Sequence, residues 1–379
     1  QTDTMKRTWI GALLALTACG TMTEEPQVFD ILAFGAVGDG VTECTAAVQA
    51  AIDSCTLSGG GTVLVPEGTF LCQTLYLKDR VDLHLDKGAV LCGVDDPEAY
   101  ASFIPQHDLS MYDSGGNSAN ANNTGDRRWM KAFLQGNGIE GASITGEGLI
   151  DGRHVFDSLG EENMRGPHTI IVGEAKDFRI EGVSITRAAN YAFLGYALEN
   201  AVFKGMHITE GWDGIHIRGG KHVEIADCLF ETGDDAIAGG YWEGMLIRDC
   251  EINSSCNGVR MIMPSDGVEI RDCHLYGPGV YPHRTSGEAR RNNMLFGISL
   301  EPGAWGEATG TAKGIHLHDL LLENLSSPVS TSVREGSVAE DLTLENITAT
   351  GLTGALTPVV SWNDQGFKTI TLRNVTLSR

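Results

Sequence analysis

The sequence predicts an all-β chain wound as a right-handed parallel β-helix, with a short helix capping its N-terminal end. Three observations carry that prediction. From Thr169 onward a pattern of short strands returns with starts at 169, 191, 213, 235 and 257, every 22 residues. A second ladder of apolar positions runs between these strands. Glycine is abundant, at 48 of 379 residues, while aromatic content is only 7%, which suits many turns and short strands. Helical repeats of similar length would show a 3.6-residue period. These segments show period 2 in short Val/Ile-rich pieces, so each repeat reads as one coil, with neighbouring coils ~4.8 Å apart.

The N-terminus carries an export signal. Lys6 and Arg7 follow Met5, then WIGALLAL, then TACG. A charged start, a short apolar core and small residues make a secretory signal over residues 1–19, too short to span a bilayer. QTDT stands upstream of Met5. Leu16 to Cys19 matches the pattern of a bacterial lipobox, with Cys19 as the lipidated residue and a plain signal peptide as the alternative. The chain is then expected in the periplasm or at the cell surface, touching membrane only through a lipid anchor at Cys19. Residues 20–27 read as a linker, and 28–379 as a single β-helix domain.

The first coils run from Phe34 to Gly93, through FGAVGDGVTECTAAVQAAID, GGGTVLVPEGTFL and VDLHLDKGAVLCG. TAAVQAAIDSC is a short amphipathic helix able to close the open end of a solenoid. Ser110 to Arg128, polar and rich in Gly and Asn, is a long loop, disordered or a wall of a binding cleft. The strand pattern then proceeds as TIIVGEA, YAFLGYA, DGIHIRG, DAIAGGY and NGVRMIM, followed less regularly by FGISLEP at 296, SPVSTSV at 327 and PVVSWND at 358. The insert Gly277 to Asn293 lengthens one coil and carries His283, Arg284, Arg290 and Arg291. It is a solvated loop or a substrate-contacting one.

The second ladder contains EGVSI, KGMHI, ADCLF, RDCEI, RDCHL, HDLLL, ENITA and RNVTL. It puts Val183, Met206, Cys228, Cys250, Cys273, Leu320, Ile347 and Val375 in one column. Cys228, Cys250 and Cys273 therefore read as small buried hydrophobes rather than half of a disulfide framework. Cys44, Cys55, Cys72, Cys92 and Cys256 stay open. No Cys/His spacing suggests zinc, and neither a metal nor another cofactor is expected. A formal net charge of −23 excludes a nucleic-acid partner, which needs a basic surface. A polyanionic substrate stays compatible through a local basic pocket.

Stacking the coils at 22 residues sets Asp213 beneath Asp235, with Tyr191 below and Asn257 above, and Asp234 beside Asp235. Turn preference accounts for single aspartates, but not for their stacking. Close like charges raise a pKa, which makes one member a proton donor. An inverting glycosidase needs such a set: an acid for the leaving oxygen and bases for a water, some 6.5–9.5 Å away.

These residues also carry a resemblance. FGAVGDGVT, TAAVQAAID, GGGTVLVPEGTF, VDLHLDKGAVL, WDGI and TGDDAIA resemble glycoside hydrolase family 28, the polygalacturonase and rhamnogalacturonase family, from about Phe29 to the C-terminus. Its motifs are NTDG(I/F)D, GDD, GHG and RIK. The resemblance implies the same β-helix, Asp234 as general acid, and Asp213 and Asp235 as the pair that activates water. The departures are specific. NTDGID has become Gly211 to His216, and the GHG histidine position holds Asn257. RIK aligns with GISLE, so Ser299 and Glu301 stand where the family has Arg and Lys. A glutamate there repels a substrate carboxylate. Arg260, in an equivalent column of an earlier coil, is a candidate relocated clamp.

Further candidate contacts are His216, structural or touching substrate or acid; Trp212, Trp242 and Tyr191, with Tyr241 and Trp305 nearby, as stacking surfaces or groove caps; and Glu301 on a sugar hydroxyl. The expected function is an exported glycoside hydrolase that cleaves a plant or algal polysaccharide or its oligosaccharides with inversion, other than plain polygalacturonan. The alternatives are a polysaccharide lyase, which needs an acidic sugar, and a catalytically silent glycan-binding solenoid.

Overall fold

The structure, a computed structural model, describes residues 27–114, 122–305 and 308–379. The signal segment, Cys19 and most of the 20–27 linker lie outside the described residues. The described strands form one right-handed parallel β-helix in which each strand pairs in parallel with its counterpart one coil away. Three strand stacks make its walls. One runs His168–Gly173, Phe193–Glu199, the first half of Ile215–Ala226, the first half of Ile237–Arg248, Asn257–Met261, Met294–Leu300, Leu325–Thr331 and Val359–Ser361. The pairs Phe193↔Ile215, Ile215↔Ile237 and Ile237↔Val259 hold the 22-residue step. The insert stretches the next step, to Val259↔Ile298.

One register differs from the sequence expectation. Ile170 pairs with Phe193, a step of 23, so Thr169 is not the column mate of Tyr191. The apolar alternation of TIIV and AFLG reads equally well at 22 or 23 when both faces are buried, and all eight of these residues are buried. His168 instead falls below Tyr191, with ring centroids 5.2 Å apart.

The ladder column stands as expected. Val183, Met206, Cys228, Cys250, Cys273, Leu320 and Ile347 are buried, and Leu320↔Ile347↔Val375 pair directly. The eight cysteines among the described residues are all free. The residue before each column member turns the corner with positive φ: Gly182, Gly205, Asp227, Asp249, Asp272, Asp319, Asn346 and Asn374. Only Gly, Asn and Asp occupy that left-handed conformation readily, and only they appear there. Asn374 and Asn346 also extend the corner as a side-chain ladder, each amide donating to the coil before it at 2.9 Å. Inside, Phe178, Phe193, Phe203 and Phe230 are fully buried, with Phe193 and Phe203 edge to face at 4.7 Å. Each such side chain contributes about 1.5–3 kcal/mol by burial.

The predicted capping helix is Thr45–Leu57, which buries Val48, Ala51, Ile52 and Cys55 against the first coils and covers the core's N-terminal end.

Candidate active site

The site sits where the chain enters the first stack. Three backbone bonds fasten the column there: Ala192 N–H to Asp213 O, Gly214 N–H to Asp235 O, and Ala236 N–H to Asn257 O, at 2.9–3.1 Å. Tyr191, Asp213, Asp235 and Asn257 therefore stack as the 22-residue period requires. Gly233 precedes the acidic pair because a Cβ there would lie 2.5 Å from Gly211 O. Thr232 and Ser254 hydroxyls donate to Asp234 O, at 3.0 and 2.7 Å, and fix the bend.

The carboxylate oxygens of Asp213, Asp234 and Asp235 lie within 4.8 Å of one another. That bound is for one oxygen of each; Asp234 and Asp235 are neighbours on one coil and Asp213 lies on the adjacent one. Their surroundings differ. Asp213 and Asp235 are buried, 4% and 2% exposed, whereas the Asp234 side chain keeps 16% exposure. Asp235 Oδ1 accepts from Asn257 N–H at 3.1 Å and from Nδ2 at 2.7 Å, and Oδ2 faces Arg260 at 3.6 Å. Asp213 Oδ2 meets His216 Nδ1 at 2.7 Å. Asp234 Oδ2 faces His283 Nε2 at 3.5 Å and Arg165 Nη2 at 3.9 Å.

Burial, joined by repulsion from Asp234, pushes Asp235 up to about 6 and moves Asp213 well above the ordinary carboxylate range. Burial also raises Asp234, but His283, Arg165 and Arg260 outweigh it and hold Asp234 down at about 2. The three titrate as one unit, so any proton they share in the free protein sits on the buried pair.

Several residues proposed as substrate contacts turn out to be internal. Trp212 is fully buried beneath Arg165, whose guanidinium lies 5.0 Å from its ring, and its Nε1 bonds Thr285. Trp242 points into the core and donates to Ile217 O at 2.9 Å. An inward-facing strand position buries a tryptophan once its N–H has a partner. Tyr191, 4% exposed, stacks on His216 with ring planes 3° apart. Asn257 and His216 serve the carboxylates, not a ligand surface. Arg260 does sit beside Ser299, in the adjacent coil. It is not a free clamp, however, because Glu301 holds it at 3.1 Å and Ser299 Oγ donates to Glu301 at 2.8 Å.

The structure adds three residues to the site. Arg165 arrives from the loop before His168–Gly173 and pairs with Glu162 at 2.8 Å. Its sequence surroundings, EENMRGPH, carry no periodic signal. His283 comes from the insert, which folds back over the site instead of standing in solvent. Arg284 bonds His154 and Glu210 there, and Thr285 bonds Glu162. Arg218 follows His216 by one strand period, the one signal that could have marked it.

Two cavities share Asn163, and each is lined by one of the two cationic partners of Asp234, His283 in the first and Arg165 in the second. One, about 530 Å³, is lined by His283, Tyr281, Arg284, Phe156, Met164 and Glu210. The other, about 360 Å³, is lined by Arg165, Trp129, Glu162 and Asn190. The trio, and the group Asp234, Cys256 and His283, are also spaced closely enough to hold a cation.

A β-helix with three convergent carboxylates at a coil corner defines a class of carbohydrate-active proteins, and the comparisons narrow that class. The model for "Glycosyl hydrolases family 28" matches residues 106–253, and that for "Rhamnogalacturonase A/epimerase, pectate lyase-like" matches 28–97. The chain is 26% identical to an exo-poly-alpha-D-galacturonosidase of Dickeya chrysanthemi over 58% of its length, and spans 43% of that protein. It is 22% identical to an exopolygalacturonase of Zea mays, covering 86% of this chain and 77% of the relative. The exopolygalacturonase structure from Thermotoga maritima superposes with a TM-score of 0.69 at 19% identity, over 93% of both chains. Together these matches support a divergent member of glycosyl hydrolases family 28, a glycosidase family, with the family model itself matching residues 106–253.

Proposed function

We propose that the protein hydrolyses glycosidic bonds of a pectin-like polysaccharide, at a linkage whose reacting sugar carries no free carboxylate. The single observation behind this is the placement of Asp234, the least buried carboxylate of the three, against His283 from the lining of one cavity and Arg165 from the lining of the other. Each cavity has the volume of a small-molecule pocket, and a glycan crossing both passes the His283 and Arg165 side chains that face Asp234. Relatives named as polygalacturonases support the polymer class.

In the proposed mechanism Asp234 passes a proton from the shared pool to the leaving oxygen. A water held by Asp213 and Asp235 attacks the anomeric carbon, gives its proton to that pair, and inverts the centre. The oxygens are as close as in a retaining pair. A nucleophilic role nevertheless requires a carboxylate that can touch carbon. Asp213 and Asp235, at 4% and 2% exposure, are too buried for a sugar ring to reach.

The sugar class follows from charge. Arg165 is paired with Glu162, Arg260 with Glu301, and Arg284 with Glu210. A free uronate would have to displace a protein carboxylate from each of these three guanidiniums, at about 2–5 kcal/mol for a mispaired buried charge, whereas Arg290, which also lines the larger cavity, is in no salt bridge among the described residues. The test compares polygalacturonate with esterified and neutral pectic glycans, with proton NMR of the first product. Esterified or neutral substrates should react faster, with the opposite anomer released. Glu301→Gln should free Arg260 and raise the rate on polygalacturonate. Robust polygalacturonate cleavage by the wild type, unchanged in Glu301→Gln, overturns the sugar assignment, and retention overturns the mechanism.

A further inference from the structure

Arg218 is a guanidinium with no exposure and no carboxylate in contact among the described residues. Its Nη1 donates to Asn122 O at 3.0 Å and to Tyr196 Oη at 3.4 Å, and its Nη2 has no hydrogen-bond partner among the described residues. Trp305 lies 4.4 Å from the guanidinium carbon, ring centroid to carbon, with Trp129 and Tyr196 at 5.6 Å. Burying a charge this way is costly without a compensating partner, so its remaining contact carries weight. Arg218 Nε lies 3.3 Å from His216 Nε2, and His216 Nδ1 lies 2.7 Å from Asp213 Oδ2.

A guanidinium only donates. His216 Nε2 must therefore present its lone pair, which leaves the imidazole proton on Nδ1, pointing at Asp213. The reverse tautomer would set two N–H groups against each other. From this the geometry points to Arg218 and His216 as positioning residues: Arg218 locks His216 as the neutral Nδ1–H tautomer, and that N–H fixes Asp213 Oδ2 as an acceptor. Any proton on Asp213 then sits on Oδ1. Asp113 and Glu161 lie near enough to feel the Arg218 charge, and Asp213 is reached from Arg218 through the ring. Tyr191 stacked on one side and Trp305 at 5.5 Å on the other clamp the imidazole.

Charged and titratable groups surround this chain on every packed element. Asp234, Asp235, Arg165 and Arg260 act on Asp213, Arg218, Arg260, His168 and Arg165 act on His216, and Asp113 and Glu161 face Arg218. Tyr191 packs against both. Burial and those cations keep His216 neutral well below the usual imidazole range. His216 is thus a fixed dipole rather than a second acid. NTDGID-type motifs place a carboxylate at this position, so the Asp–His–Arg chain is this protein's own arrangement.

The assignment of catalytic consequences rests on the proposed hydrolysis; the tautomer does not. Long-range proton–nitrogen correlation NMR on the full chain with 15N-histidine reads the tautomer directly, with His216→Asn identifying the signal. A neutral ring protonated at Nδ1 across pH 5–8 is the expected result. A ring protonated at Nε2, or an imidazolium in that range, overturns the proposal whether or not any glycan is cleaved. Kinetics then test the consequence. In Arg218→Met the ring is free to flip and accept a proton from Asp213. We expect kcat to fall about 10–100-fold, the range for lost orienting partners, with KM nearly unchanged. The acidic limb of the rate profile should move to higher pH, and Arg218→Lys should recover part of both effects. A folded Arg218→Met with an unmoved pH profile overturns the positioning role. If that variant does not fold, the wild-type tautomer decides.

Discussion

Asp234 and Asp235 are neighbours in the chain and opposites in environment. One faces a cleft beside His283 and Arg165; the other is sealed under Asn257 and Arg260. With Asp235 raised to about 6 and Asp213 moved well above the ordinary carboxylate range, the shared proton is held on the acid side and begins to be lost as pH rises through about 6. Activity should therefore be full on the acid side and fall as pH rises through about 6. Stability follows the same sign. The folded pKa of Asp235 is raised, so its contribution is present below the ordinary value of 3.8 and is lost as pH rises through 6. Asp234→Asn should retain fold and substrate binding and lose about 10²–10⁴-fold in turnover, since an amide keeps the shape but donates no such proton. A variant keeping a tenth of the wild-type rate, or a wild-type rate that climbs between pH 6 and 8, would remove Asp234 as the acid.

At the scale of the element, the coil corner is the unit that repeats. Its left-handed residue follows from steric rules, which makes Asp249 a useful probe, with φ 52°. Asp249→Gly should be near neutral. Asp249→Val forces a β-branched side chain into that conformation, which costs about 1–2 kcal/mol or more. Equilibrium urea unfolding of the two variants checks this; equal stability would mean the corner relaxes. The other informative element is the insert. Its composition left open whether it is solvated or touches the site, because a loop's destination depends on partners far away in the chain. Those partners are His154, Glu162, Glu210, Trp212 and Asp234, none of them predictable from residues 277–293.

For the whole molecule, a net charge of −23 on one solenoid produces self-repulsion that salt screens. Raising ionic strength from about 0.01 to 0.15 M shortens the screening length from about 30 to 8 Å. Thermal unfolding at pH 7 should then move upward, by about 2–4 °C for each kcal/mol relieved. A downward shift would show that the paired arginines contribute more than the repulsion takes away.

The repeats by themselves determined the β-helix, the interior cysteine column, the capping helix and the stacked aspartates. Each of these depends on periodicity, and periodicity is local information multiplied by the number of coils. The 22-residue step therefore located Asp213, Asp235 and Asn257 without any tertiary contact. Only the tertiary structure decided which side chains face in or out at a corner where the backbone bends. It buried Trp212 and Trp242, turned His216 toward Asp213, and tied Arg260 to Glu301. It also brought Arg165, His283 and Arg218 to the carboxylates. Loops and insert deliver two of these from outside the repeat, and the third depends on a buried contact made through His216. Charge balance at the site is a sum over such groups, so the protonation of three adjacent aspartates could not be read from their spacing.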